Sequence, residues 1–81
     1  LMYIVGAPRE YTMIEPGRYR HYKGKEYEVI GVATHSETEE RFVVYRALYG
    51  EQGLWVRPAA MFLETVVVNG RSCPRFRRVG D

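Results

Sequence analysis

Tyr45, Arg46, Tyr49, Trp55 and Arg57 crowd into one stretch between positions 45 and 57, and these are the residue types that hold flat, charged ligands. Planar groups such as nucleobases stack on aromatic rings, and arginine meets phosphate or carboxylate with a planar fork of donors. Arg18, Arg20 and Tyr22 repeat the combination upstream at intervals of two, the period of side chains on one face of a strand. A face of this kind is expected to contact nucleic acid or a nucleotide, and its rings would equally suit a peptide or a modified side chain. A plainer reading stands beside it. Trp55 can be a core pillar whose indole N–H bonds a backbone carbonyl, with Arg57 bridging to Glu51 or Glu64. The two readings divide on whether Trp55 and Arg57 face an open surface or the core.

Other chemistries find weaker support. His21 and His35 are the two histidines, and nothing at helical or hairpin spacing completes a ligand set around His35-Ser36-Glu37, so no metal site is expected. Cys73 precedes Pro74 with no sign of an activating base or helix terminus, which predicts an ordinary half-buried thiol. Glu26 and Glu28 share a strand face, but no apolar pocket surrounds them that would raise a carboxyl pKa. The expectation is therefore a protein that is not an enzyme, with no catalytic residue and no cofactor.

The elements that must position the aromatic and basic residues are short strands. Arg18 to Tyr22 alternates as a strand, and Lys23-Gly24-Lys25 carries hairpin-turn chemistry into Glu26 to Thr34. After the polar loop His35 to Glu40, Arg41 to Tyr49 is the strongest strand pattern, and Gly50-Glu51-Gln52-Gly53 turns the chain into Leu54 to Arg57. Pro58-Ala59-Ala60 then suits one short helical or 3₁₀ turn. Thr65 to Val68 and Arg71 to Arg77 flank Asn69-Gly70, a two-residue hairpin signal. Arg75 to Asp81 reads as a frayed, arginine-rich tail. The predicted fold is all-β, a small SH3-like, partly open antiparallel barrel with that single helical turn. Placing Leu54 and Val56 toward the core would put Trp55 and Arg57 together on the other face. Pairing across Gly50–Gly53 would then set them near Tyr45 and Tyr49, or near Arg46 and Leu48 after a slip of one.

Composition bounds the rest. A chain of 81 residues is one domain and buries a modest core. With 46% hydrophobic and 27% charged residues it is a folding sequence, not a disordered one. Its net charge of +2 is too small to imply nucleic acid by itself. Among the 12 basic residues only Lys23 and Lys25 are lysine, a bias toward recognition that arginine-rich codon usage would also produce. One cysteine excludes an internal disulfide. With no bilayer-length apolar run and no signal-peptide pattern, it points to the cytoplasm. Residues 1–15 are mixed, with Tyr3-Ile4-Val5 as a short edge strand before Gly6-Ala7-Pro8, and read as an extension that packs on the body or on another copy. Apolar residues on both faces of Arg41 to Tyr49 support an alternative role as a protein-interaction or homodimer assembly domain.

The stretch GRYRHYKGKEYEVIGVATHSETEERFVVYRALYG (Gly17 to Gly50), followed by GLWVRPAAMF (Gly53 to Phe62) and ending on Pro74-Arg75-Phe76, resembles the bacterial family known as domain of unknown function 1653. The resemblance implies a compact bacterial cytoplasmic domain, found alone or attached to others, with no assigned activity. It sets expected limits of residues 16–76 for the barrel, with 1–15 as an extension and 77–81 as a basic tail.

Overall fold

Seven strands and one helical turn follow one another from Gly17 to Gly80 in a computed structural model that describes residues 14–81. The strands are β1 (Gly17–His21), β2 (Glu26–Thr34), β3 (Arg41–Ala47), β4 (Leu54–Pro58), β5 (Thr65–Val68), β6 (Arg71–Pro74) and β7 (Phe76–Gly80), with helix α1 (Ala59–Phe62) between β4 and β5. The expected edge strand at Tyr3-Ile4-Val5 lies outside the described residues. Five strands form one antiparallel sheet in the order β4-β3-β2-β1-β7, and β5 pairs with β6 as a separate hairpin. β4 and β7 are the two edges of the larger sheet, so the barrel is open between them.

Local chemistry explains the turns and bends. Gly24 takes φ 109°, and the His21 N–H donates to Lys25 O at 2.8 Å to close the first hairpin. Asn69 and Gly70 both take positive φ (52° and 78°), the pair of left-handed residues that a two-residue hairpin loop requires. Ile30 is the extra residue of a bulge between β2 and β3, where the register passes from Val29↔Tyr45 to Gly31↔Val44. A bulge increases local twist and bends the strand that carries it. Pro58 ends β4 and caps α1 with φ −52°, tolerated because an edge strand spares the ladder a missing N–H.

Cross-strand rows define the inner face. Gly17↔Val29↔Tyr45↔Trp55 is one row, and Val32↔Val43↔Arg57 is another. Val29 and Val43 are fully buried, joined in the core by Tyr19, Tyr45, Ala59, Phe62 and Phe76. Phe62 of α1 stacks on Phe76 of β7 with ring centroids 4.3 Å apart, so helix and last strand plug the mouth of the bent sheet together.

Two expectations are corrected here. The segment taken for a frayed tail supplies β7, which pairs with β1 from Arg18↔Gly80 to His21↔Phe76. The facing of β4 is also the reverse of the one expected. Trp55 and Arg57 lie in the core-facing rows, whereas Leu54 and Val56 lie opposite Arg46 and Val44 on the outer face, 58% and 60% exposed. The inner volume beside β4 is already filled by tyrosine and phenylalanine rings, which leaves the aliphatic pair to solvent. Among the described residues no helix is long and apolar enough to cross a membrane.

Candidate aromatic–arginine cleft

Because β4 is an edge, the inner-face side chains at its start reach the rim of the sheet instead of its centre. Trp55 is 58% exposed there, directly opposite the buried Tyr45. Tyr27, Tyr45, Tyr49, Trp55 and Arg57 line a cleft of about 200 Å³. Tyr27 stands edge-on to both of its neighbours, with centroids 5.3 Å from Tyr45 and 5.5 Å from Tyr49. The Tyr27 and Tyr49 hydroxyls share a hydrogen bond of 2.7 Å. Tyr49 follows β3 in a turn pinned by the Leu48 N–H donating to Glu26 O and the Gln52 N–H donating to Tyr49 O. These contacts hold the rings as walls that cannot collapse onto one another.

The charge in the cleft is positive and lacks a carboxylate. The half-buried Arg57 donates from Nε to the Tyr45 hydroxyl at 3.4 Å and lays its guanidinium 5.4 Å from the centre of the Phe76 ring. No carboxylate lines the cleft, and Arg57 has no ion pair among the described residues, so the expected bridge to Glu51 or Glu64 does not form. Arg75 takes Glu64 at 3.1 Å instead. Lys25 adds a second cation, its Nζ 4.5 Å from the Tyr49 ring centre. His21 registers part of this surplus. His21, whose ring packs 4.9 Å from Phe76, is held below its ordinary value by burial and then by Arg57, Arg75 and Lys23. Burial, followed by the hydrogen bond to Tyr49, pushes the Tyr27 phenol up to about 12.

Of the residues singled out in the sequence, Tyr45, Tyr49, Trp55 and Arg57 come together in this cleft. Arg46 does not join them; it faces outward opposite Leu54 and donates to Gln52 O at 3.1 Å. Arg18 and Arg20 also face outward and share one carboxylate, Glu26, at 3.2 and 2.8 Å. Tyr22 lies past the end of β1 and lines a separate hollow with Arg20, His21, Cys73, Pro74 and Arg77. That hollow brings Cys73 and His21 to one place, although the His21 Nδ1 is engaged by the Lys23 N–H at 3.2 Å. Among the described residues no cluster of three His, Cys, Asp or Glu could hold a metal ion.

Comparison with known proteins now places this arrangement. The model of the family described as Protein of unknown function (DUF1653) matches residues 17–78. The chain belongs to that family. A crystal structure of a DUF1653 protein from Bordetella bronchiseptica is 40% identical, covering 86% of this chain and 92% of its own, with a TM-score of 0.79. No curated protein matches the chain. The DUF1653 match runs past Phe76 into β7, in keeping with the pairing of that strand to β1.

In this DUF1653 chain the cleft uses three residues that sequence reasoning missed: Tyr27, Lys25 and Phe76. Tyr27 was findable, since the β2–β3 register that sets Val29 opposite Tyr45 puts Tyr27 beside it on the same face. Phe76 was not, because its role depends on β7 crossing back to β1 from far along the chain.

Proposed function

We propose that this chain is a non-enzymatic bacterial cytoplasmic module that binds nucleic acid or a nucleotide by stacking a base against Trp55 and the tyrosines of the cleft, with Arg57 and Lys25 facing phosphate. The observation that carries the reading is the cleft's combination of open aromatic walls with a guanidinium that has no ion pair among the described residues. Aromatic cages that take cations surround the ligand with π faces and counter-charge, whereas a cleft already holding Arg57 favours a planar group attached to an anion. Hollows without carboxylates around His21 and His35 support the non-enzymatic part.

Titration with fluorescent single-stranded DNA and RNA at low salt tests the reading. Stacking is worth ~1–3 kcal/mol per base, so Trp55→Ala should weaken binding roughly 5- to 150-fold, and Arg57→Ala should reduce both affinity and its salt dependence. No binding at ~100 μM, or binding indifferent to both changes, rejects it.

One observation favours a second reading, an assembly domain. Leu54 and Val56 are exposed on one face of β4, an edge of the sheet among the described residues and the kind of surface that pairs with another chain. Light scattering decides this, on the full chain and on a chain starting at Met13. A dimer lost on Val56→Lys supports it, and strict monomers reject it.

A further inference from the structure

The hollow beyond Phe76 carries the argument past the cleft. Arg20 and Arg77 are direct cross-strand partners in the β1–β7 ladder and therefore project from the same face. Like charges directly opposite one another destabilise a sheet, and here the repulsion is only half relieved. Arg20 shares Glu26 with Arg18, and Arg77 has no ion pair among the described residues. Between these two arginines lies the hollow of about 140 Å³ that Tyr22, His21, Cys73 and Pro74 complete, and no carboxylate lines it. It is shaped and charged for a small anion.

Its position connects it to the cleft. His21 packs on Phe76 with centroids 4.9 Å apart, and the Arg57 guanidinium lies 5.4 Å from the centre of the same ring. Phe76, itself buried, is thus the ring that stands between His21 of one hollow and Arg57 of the other, in the gap where the sheet is open between β4 and β7. Neither hollow is large. The cleft measures about 200 Å³, below the roughly 300–1,000 Å³ of pockets that enclose a small molecule, so it seats one ring and leaves the rest of a ligand outside.

We propose that the two hollows are successive subsites for a single-stranded nucleic acid, a base in the aromatic cleft and a neighbouring phosphate between Arg20 and Arg77, so that the ligand is an oligonucleotide and not a free mononucleotide. This rests on the base-stacking reading of the cleft and adds the ligand class. Burial first, and then the nearby cations Arg57, Arg75 and Lys23, hold His21 below its ordinary value, and the cationic part agrees with an anion being attracted to the seam.

Trp55 is the only tryptophan, so its fluorescence reports the cleft directly. The test titrates the full chain with unlabelled thymidine monophosphate and with an octamer of deoxythymidine at low salt. Octamer affinity per nucleotide should exceed that of the monophosphate about tenfold or more. Arg77→Ala should erase most of that gain, leave the monophosphate unchanged, and flatten the plot of log K against log salt by about 0.7, the share of one phosphate on a single strand. Its thermal midpoint should hold or rise, since a like-charge pair has been removed. Equal affinities per nucleotide, or an octamer affinity and slope unmoved by Arg77→Ala, overturn the two-subsite proposal while leaving the cleft reading intact. If neither ligand quenches Trp55, the cleft reading itself fails and takes the proposal with it.

Discussion

Two arginine–tyrosine groups of similar composition have opposite fates in this molecule. On the outer face of β1, Arg18 and Arg20 converge on Glu26, and one carboxylate offsets part of their charge at the surface. On the inner rim of β4, Arg57 meets a phenol and a phenyl face and, among the described residues, no carboxylate. The first group is a solvated cross-strand ladder of the kind that keeps a sheet soluble. The second is a charge held partly out of water without a counter-charge, which a fold seldom retains for stability alone. What separates candidate binding residues from structural ones is thus the identity of their partners, not the residue types.

Substitutions tell the two groups apart. The largest effect is expected at Phe76, the buried ring between His21 and Arg57. Phe76→Ala removes a ring stacked on Phe62 and edge-on to Tyr45, Tyr27 and His21, and should cost about 3–5 kcal/mol by chemical denaturation. A loss below ~1 kcal/mol would mean that the seam is not packed as described. Next comes a matched pair of charge removals. Glu26→Gln should destabilise by no more than ~1 kcal/mol, a loss that shrinks in high salt, because both ion pairs are partly exposed. Arg57→Met should leave the thermal midpoint unchanged or raise it, since it keeps the packing and removes an unpaired charge. A marked fall would show Arg57 to be structural after all.

The smaller effects are pH dependences, and they run in opposite directions. Tyr27, pushed up to about 12, favours its neutral form in the fold, so its contribution is complete below pH 10 and lost as pH rises through the folded value. Absorbance titration at alkaline pH should show Tyr27 and the buried Tyr19 ionising late, and Tyr27→Phe should remove one of these late steps. His21 is shifted down, so its contribution is present above about 6.5 and lost as pH falls through the folded value. Melting between pH 5 and 8 should show an acid-side decline that His21→Gln flattens; identical profiles would place His21 outside the charged seam.

Much of this architecture was readable in the chain. Alternation and turn chemistry delimited β2 and β5 at their observed ends, and Pro58 and Asn69-Gly70 marked the helical turn and the last hairpin. These are local signals, set by φ preferences and side-chain period. What escaped were properties of the closed-up sheet. Arg77 and Arg78 made β7 look like a solvated tail, because nothing local reveals that an edge strand will find β1. The facing of Trp55 was left open between core and surface for a related reason. The rule that aliphatic residues go inside holds for a central strand, whereas the rim of an open barrel can turn its aromatics inward and still leave them exposed. Four of the eight nominated residues meet in the cleft, those on the inner face of one hairpin and its turn; Arg46 belongs to the outer face of that hairpin, and Arg18, Arg20 and Tyr22 depended on a β1 facing that the hairpin does not determine.

Gly17 takes φ 142°, and a Cβ added there would stand 2.7 Å from Gly80 O, so the first residue of β1 and the last of β7 touch. The polypeptide therefore enters and leaves the barrel at a single point, which makes the fold a cassette. It can be spliced into a surface loop of a host protein through two short linkers without stretching either. The same proximity permits rewiring: a circular permutant that joins residues 17 and 80 and reopens between Ser36 and Glu37, in the exposed loop after β2, should melt as cooperatively as the native order.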